Sequence, residues 1–314
     1  MKAKPVVNPS KRNRPDIQQS KICCLVNAKS GTAGDSPAEL VAKLFHNRGA
    51  AVHIIELKPG DDIPALAAQA VTDGFDVIVS GGGDGTINAV ASALVGNSKV
   101  KFGVLPMGTY NHFAKDLVIP LKLEEAVDVI LKGATRRIDV GEVNGHIFVN
   151  NSSVGAYPAM VKLREALQKT GYRKKLAAVR AWAQIIANFR TLRVVVDDGS
   201  GHKITARTAM LFIGNNRYEL DPAQIGTRSS LSDGKLWVLI ATSQTRLAMF
   251  ASLFAVLWHR GNANAVTVFE TMEFVVDTGK RSQKVSVDGE VLHLETPLHY
   301  NMRASALQII VPEP

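Results

Sequence analysis

Residues 76–96 read DVIVSGGGDGTINAVASALVG and carry the strongest local signal in the chain. A continuous apolar run is followed at once by four glycines and one aspartate, and then by a helical pattern. Glycines let backbone N–H groups approach an anion without an intervening Cβ, and a helix that begins near Thr86 adds its positive dipole end. The stretch therefore predicts a strand, a phosphate-binding loop and a helix. A tight strand-to-helix turn capped by Asp84 is the alternative.

The segments on either side repeat this alternation of strand and helix. Apolar runs at 21–27, 50–57 and 101–106 predict three more strands, because strands covered on both sheet faces are continuously apolar. Amphipathic segments predict helices at 36–49, 62–73, 86–96 and 122–132. This order predicts an α/β fold with a doubly wound parallel sheet.

The pattern changes near residue 145. A basic helical stretch at 160–190 precedes a half rich in strands, with one helical insertion at 245–259. The predicted strands lie in 192–198, 203–213, 235–241, 265–277, 284–290 and 306–311. We predict a flexible basic arm at 1–20, a nucleotide-binding α/β domain at 21–145 and a β-sandwich-like domain at 146–314. The last strand has the option of returning to the first domain.

Composition narrows the class of protein. The chain has 314 residues, a net charge of +9 and only two cysteines, Cys23 and Cys24, inside an apolar run. Such a charge favours anionic partners, and the cysteines predict buried thiols in a reducing cytoplasm. The longest apolar stretch, 247–258, is too short to span a bilayer. We expect a cytoplasmic protein, soluble or peripheral to the membrane.

Two further loops follow predicted strands at the same sheet edge. After 101–106 the chain reads MGTYNHFAKD, in which Thr109 can bond a phosphate or ribose and Asn111 can hold the loop or a nucleotide. After 21–27 come Ser30 and Gly31, close behind Asn27. Because the carboxyl ends of parallel strands meet at one edge, the three loops predict a single nucleotide cleft.

Seven motifs in order resemble the diacylglycerol kinase catalytic-domain family, which includes sphingosine kinases and soluble bacterial lipid kinases. The motifs are NAKSG (27–31), GGDGT (82–86), PMGTYN (106–111), IDVG (138–141), FVN (148–150), SDG (232–234) and DGE (288–290). The GGDGT motif alone also occurs in NAD kinases, so the PMGTYN and DGE segments are what point to lipids.

The resemblance implies transfer of the ATP γ-phosphoryl group to a lipid hydroxyl, with diacylglycerol as the default acceptor and a sphingoid base as an option. It implies nucleotide binding by Asn27, Ser30, Gly31, Gly82, Gly83, Asp84, Gly85, Thr86, Gly108, Thr109 and Asn111. Asp288 takes the place of the general base, with Glu290 beside it, although DGE by itself predicts a hairpin turn.

The resemblance also implies a structural metal site, and the chemistry of phosphoryl transfer adds Mg²⁺ at the nucleotide. The family's structural metal site maps to Ser230, Asp233 and Lys235. Asp84 and Asp139 are our candidates for a Mg²⁺ network at the nucleotide, because Mg²⁺ prefers hard oxygen ligands. A strand-end cap is the alternative role for Asp139.

Three departures from the family pattern keep other functions open. His112 stands where the family has an aspartate, the segment GNNRYELDPAQIGTRSS replaces a glycine-rich one, and Ala28 replaces a proline. The alternatives are a kinase of a soluble alcohol such as NAD and a non-catalytic protein that binds nucleotide or lipid. We expect a lipid substrate at an anionic membrane surface and no nucleic acid. A homodimer stays open, and the basic stretch at 160–190 is either a membrane contact or a solvated face.

Overall fold

The computed structural model describes residues 20–28, 36–155, 192–197, 203–208, 210–218, 228, 230–241 and 266–313. The predicted basic stretch at 160–190 and the helical insertion at 245–259 lie outside these ranges, as does the predicted arm except for its last residue.

Four parallel strands form the first part of the fold, in the order β2-β1-β3-β4. They are β1 (Ile22–Asn27), β2 (Val52–Leu57), β3 (Val77–Gly82) and β4 (Lys101–Pro106). The helices of this half are α1 (Pro37–His46), α2 (Ile63–Thr72), α3 (Asp84–Leu94), α4 (His112–Asp116) and α5 (Leu123–Lys132). Strand β3 is buried along its whole length, as expected for a strand covered on both faces. The predicted α/β fold with a parallel sheet is confirmed.

The remaining strands are antiparallel to their neighbours, apart from the pairing of the last one with β4. They are β5 (Ala134–Val143), β6 (His146–Phe148), β7 (Asn151–Gly155), β8 (Leu192–Asp197), β9 (Lys203–Thr208), β10 (Met210–Asn215), β11 (Leu236–Ala241), β12 (Val266–Thr271), β13 (Glu273–Asp277), β14 (Ser282–Val287), β15 (Glu290–Glu295) and β16 (Leu298–Val311). One antiparallel sheet has the order β12-β11-β10-β7-β14-β15. The other continues the parallel sheet in the order β4-β16-β13-β8-β9, with β5 on β16 and β6 on β5.

Two of the predicted strands are each divided between the sheets. The run 203–213 forms β9 in the extended first sheet and β10 in the second sheet. The run 265–277 likewise forms β12 and β13, which lie in different sheets. The prediction of single strands was wrong here, because a chain that crosses between stacked sheets keeps its apolar composition while it changes partners.

A hydrophobic core lies between the two antiparallel sheets. It includes Val194 of β8, Ile213 of β10 and Val285 of β14, all fully buried. Phe274 and Tyr300 stack at 4.8 Å between ring centroids within this core. The predicted β-sandwich-like half is confirmed, and truncating one of its large aromatic side chains would cost about 3–5 kcal/mol.

Strand β16 joins the two halves. Near its start Tyr300 pairs with Phe274 of β13, and near its end Ile309 pairs in parallel with Phe102 of β4. Between these points the register shifts, and Ser305 has a φ of 52°. The C-terminal strand therefore belongs to both sheet regions at once.

Candidate functional site

The glycine loop turns directly from β3 into α3. A Cβ on Gly82 would lie 2.7 Å from the Thr86 side chain, so only glycine fits where the chain folds back on its own helix. The Thr86 hydroxyl in turn accepts a hydrogen bond from Nδ2 of Asn27 at 3.3 Å. The ends of β1 and β3 thus meet, as the sequence predicted for the loops that follow these two strands.

The loop after β4 touches the glycine loop backbone to backbone. A Cβ on Gly108 would lie 2.4 Å from Cα of Gly83 and 2.9 Å from Oδ1 of Asn111. Asn111 is 6 % exposed, and its amide accepts from the N–H of Gly108 and donates to the carbonyl of Gly108, both at 2.9 Å. These contacts hold the loop, and binding of a nucleotide by Asn111 stays a prediction.

The carboxylate of Asp84 links the same two loops. Its two oxygens accept the backbone N–H groups of His112 at 3.3 Å and of Phe113 at 3.2 Å, at the start of α4. The His112 ring is exposed and stacks on Tyr110 at 5.7 Å between centroids. Asp84 therefore fixes the second loop as well as beginning α3.

One side of this junction is open. Gly85 and Thr109 are both exposed, and a Cβ on Gly85 would meet nothing within 4 Å. The first turn of α3 presents N–H groups that have no partner within the helix. An anionic group can therefore approach the backbone at Gly85. Ser30 and Gly31, predicted for the same cleft, lie outside the described residues.

Asp288 lies in the hairpin turn between β14 and β15. Val287 pairs with Glu290, and the two intervening residues both have positive φ, 46° at Asp288 and 90° at Gly289. This is the geometry of a type I′ turn, for which Asp-Gly is a favoured sequence. The hairpin predicted for DGE is confirmed. Glu290 is exposed at the start of β15.

The Asp288 side chain folds back onto the loop between β6 and β7. Its carboxylate accepts the N–H groups of Val149, Asn150 and Asn151 at 2.8, 2.9 and 2.9 Å. Burial raises the pKa of Asp288 to about 6, against the three backbone hydrogen bonds and the Arg228 charge, which lower it. In the hydrogen bonds of the described residues Oδ2 accepts only one N–H, which leaves it a lone pair for a hydroxyl. The group can therefore accept a proton near neutral pH.

A buried arginine connects the two motifs. Arg228 pairs with Asp116, the last residue of α4, through an Nη2–Oδ2 distance of 2.7 Å. Its Nη1 also donates to the carbonyl of Val149 at 2.7 Å, beside the N–H that Asp288 accepts. A chain of hydrogen bonds thus runs from the glycine loop through α4 and Arg228 to Asp288.

The residues predicted for a structural metal lie in the turn before β11. Here the N–H of Asp233 donates to Oδ1 of Asn216 at 3.1 Å, and the carbonyl of Lys235 accepts from the N–H of Asn216. The Ser230 hydroxyl accepts the N–H of Ser232. Asp139 joins this turn, because its Oδ2 accepts the N–H of Gly234 at 2.7 Å.

Two sequence-family models match the chain. The diacylglycerol kinase catalytic domain matches residues 21–143, and the YegS C-terminal NAD kinase beta sandwich-like domain matches residues 155–311. The chain belongs to the diacylglycerol kinase-like family of lipid kinases. The resemblance drawn from the seven motifs is therefore confirmed.

Curated relatives and solved structures also resemble this chain. A "Probable lipid kinase YegS-like" of Yersinia enterocolitica is 26% identical over 278 residues, covering 85% of this chain and 89% of the relative. A crystal structure of a putative diacylglycerol kinase from Bacillus anthracis superposes with a TM-score of 0.71 at 20% identity, over 93% of this chain and 97% of that one. Yeast NADH kinase superposes less well, with a TM-score of 0.52 at 10% identity, over 95% and 85% of the two chains. The structural likenesses show the shared fold.

The structure describes both carboxylates predicted for Mg²⁺, Asp84 and Asp139. Across the described ranges, no group of three or more His, Cys, Asp or Glu side chains is placed to hold a metal. Asp139 is 1% exposed, and its two oxygens accept the N–H groups of Gly234 and Ser305 at 2.7 Å each. Because Asp139 lies in the middle of β5 (Ala134–Val143), the predicted strand-end cap was wrong, and a metal role for Asp139 stays a prediction. Among the described residues, Asp84 stays the predicted carboxylate for Mg²⁺, since this ion commonly takes one or two carboxylates together with substrate phosphates.

Sequence reasoning missed three residues that the structure brings into the site. They are Asn88, Asp116 and Arg228. The amide of Asn88 donates to the carbonyl of Ile147 at 3.3 Å and so ties α3 to β6. Asn88 could have been noticed, because it follows Thr86 by two residues. Nothing local in the sequence singles out Asp116 or Arg228, which lie 112 residues apart.

None of the helices in the described ranges combines the length and hydropathy that a bilayer crossing requires.

Replacing Gly85 by alanine separates nucleotide binding from folding. The added Cβ would meet no atom of the protein within 4 Å, and alanine is the better helix former by about 1 kcal/mol, so the melting temperature should be kept or slightly raised. The methyl group would, however, stand where an anion approaches the backbone. We expect the affinity for Mg·ATP, measured by calorimetry, to fall roughly tenfold or more. Unchanged affinity would place the nucleotide elsewhere.

Proposed function

We propose that this protein transfers the γ-phosphoryl group of ATP to the hydroxyl group of a lipid, with diacylglycerol as the first acceptor to test. One observation carries the proposal: the hydrogen-bonded path that joins Asp84 at the nucleotide loops to Asp288 through α4 and Arg228. This path supports a connected site in which an anion-binding backbone and a proton-accepting carboxylate would act together, the two groups that phosphoryl transfer to an alcohol needs.

In this proposal the glycine loop and the start of α3 hold the phosphates. Their N–H groups and the helix dipole offset negative charge, and the exposed Thr109 hydroxyl is available to a phosphate oxygen. Mg²⁺ would be held by the phosphates and Asp84, and would supply charge neutralisation. The carboxylate of Asp288 would accept the proton of the lipid hydroxyl through Oδ2. The lipid would be met at an anionic membrane surface, which the net charge of +9 favours.

Activity should rise with pH through about 6. The reason is that burial raises the pKa of Asp288 to about 6, and below that pH the carboxyl group already holds its proton. A base with such a pKa is ionised at neutral pH and loses its function on acidification. The measurement is kcat/KM for the lipid from about pH 5 to about pH 8. The fall in activity at low pH is the acid limb of the pH profile. An acid limb centred near pH 4, the usual range of an aspartate, would contradict the role given to burial.

The direct test is phosphate transfer from radiolabelled ATP to a panel of acceptors. The panel contains diacylglycerol and a sphingoid base in mixed micelles, and NAD in detergent-free buffer. Labelled phosphatidic acid would support diacylglycerol as the acceptor. Labelled NADP without any lipid dependence would favour the soluble-alcohol kinase instead. Binding of ATP without transfer to any acceptor would favour a non-catalytic protein.

A further inference from the structure

An ion pair is buried between the two halves of the protein. The Arg228 side chain is 0% exposed and that of Asp116 is 5% exposed. Nη2 and Nε of Arg228 both donate to Oδ2 of Asp116, at 2.7 and 2.8 Å. A buried charge pair is retained only where good geometry and additional hydrogen bonds offset its desolvation.

The other donors of Arg228 supply those hydrogen bonds. Nη1 donates to the carbonyls of Val149 at 2.7 Å and of Asn215 at 3.0 Å, and Nη2 donates to Oδ1 of Asn150 at 3.0 Å. The planar guanidinium group is suited to such a set of divergent acceptors, which an ammonium group could not satisfy together. Arg228 therefore fixes the loop between β6 and β7 against α4.

The Asp288 carboxylate binds the same loop by accepting the loop's N–H groups. It accepts those of Val149, Asn150 and Asn151, whereas Arg228 binds the Val149 carbonyl and the Asn150 side chain. Any shift of this loop would therefore move the Asp288 carboxylate. The positive charge of Arg228 also acts on Asp288 and opposes the effect of burial on its pKa.

On its other side, the buried ion pair is connected through α4 to the loops after β3 and β4. Asp116 ends α4, and Asp84 accepts the N–H groups at the start of that helix. Because α4 has only five residues, its ends are roughly 7 Å apart. One rigid helical turn therefore separates the glycine loop from the buried ion pair.

We infer that Arg228 is a positioning residue for the proposed reaction: paired with Asp116, it sets the place of the Asp288 carboxylate relative to the nucleotide loops. This inference deepens the proposed function and rests on it. Arg228 itself touches neither nucleotide nor lipid in this role.

The surroundings of Asp288 define what a change at Arg228 would do. Among the described residues, Arg228 is the charged group whose field acts on Asp288. The Tyr218 hydroxyl faces the same loop and donates to the Asn150 carbonyl at 3.1 Å, and Glu290 lies exposed across the turn. Removing the positive charge should therefore raise the pKa of Asp288 further, since only a cation is lost.

Three variants separate positioning from mere stability. Arg228→Gln removes the positive charge. Arg228→Lys keeps the charge but loses the planar guanidinium group, and Asp116→Asn removes the ion pair that holds Arg228 to α4. We expect kcat to fall roughly 10- to 100-fold in all three, with the KM for ATP changed much less. The acid limb of the pH profile should move to higher pH in Arg228→Gln and stay in place in Arg228→Lys and Asp116→Asn.

Arg48→Gln is the matched control. Arg48 also binds a carboxylate, that of Asp128 at 2.7 Å, and two carbonyls, those of Leu44 and Glu124, but it joins α1 to α5. The Arg48→Gln substitution should lower the melting temperature. It should change neither the acid limb of the pH profile nor kcat per folded molecule. An Arg228→Gln protein that behaves like Arg48→Gln would overturn the inference.

A second measurement does not depend on finding the lipid. The ¹³C carboxyl resonance of Asp288, assigned by its absence in Asp288→Asn, reports its protonation directly in labelled protein. Its pKa should be higher in Arg228→Gln than in the unaltered protein and near the original value in Arg228→Lys. Equal pKa values in all three proteins would overturn the inference, whereas failure of every lipid acceptor would count against the proposed function alone.

Discussion

Asp288→Asn should abolish most of the phosphate transfer while the protein stays folded. A positioned general base contributes about 10²- to 10⁴-fold to such reactions, so kcat should fall by that factor. The asparagine oxygen can still accept N–H groups of the loop at 149–151, but its NH₂ group would face a donor where the carboxylate had an acceptor. One such mismatch costs about 1–3 kcal/mol, less than the stability of a typical domain.

The measurement is single-turnover transfer from ATP to the best lipid acceptor, together with a melting curve. Glu295→Gln is the control, because Glu295 is an exposed carboxylate at the far end of the same hairpin strand. It should retain full activity. An Asp288→Asn protein as active as Glu295→Gln would remove Asp288 from the mechanism and leave it only a structural role in the hairpin turn.

Gly108→Ala should force the two nucleotide loops apart. Its Cβ would lie 2.4 Å from Cα of Gly83 and 3.3 Å from the Gly83 nitrogen, and backbone atoms cannot rotate away as a flexible side chain can. Overpacking of this kind costs about 1–3 kcal/mol. Because the displaced segment is the one that begins α3, ATP affinity should fall together with the melting temperature.

Calorimetric titration with Mg·ATP and thermal unfolding test this expectation on the same sample. Gly85→Ala is the stability control, since it adds the same methyl group two residues beyond Gly83 without a close contact. A Gly108→Ala protein with the melting temperature of Gly85→Ala would mean that the loops are not packed as closely as described.

The part of the site that follows from local chemistry could be predicted from the sequence. The run of apolar residues before Gly81, and the helical pattern after Thr86, gave the strand, loop and helix at 76–96, although α3 begins two residues earlier than predicted, at Asp84. Parallel strands in βαβ units place such loops at one edge, so the meeting of Asn27 with Thr86 also followed.

Contacts between distant segments could not be predicted. Asp84 was expected to serve the nucleotide, and nothing near it in the sequence indicates that its carboxylate also caps α4. The same applies to Arg228 and Asp116, whose pairing depends on how the β-rich half sits on α4. Apolar periodicity could not predict the division of 203–213 either, because both β9 and β10 are compatible with the same strand pattern.

The fourteen residues of β16 restrict how far the two halves of the chain can move against each other. A rotation of one lobe against the other would have to bend this strand or break its pairs with β4, β5 and β13. Asp139 adds to this restraint, because its Oδ1 accepts the N–H of Ser305 at the irregularity in β16. Rotation of the parallel-sheet half against the β-rich half is therefore disfavoured in this protein.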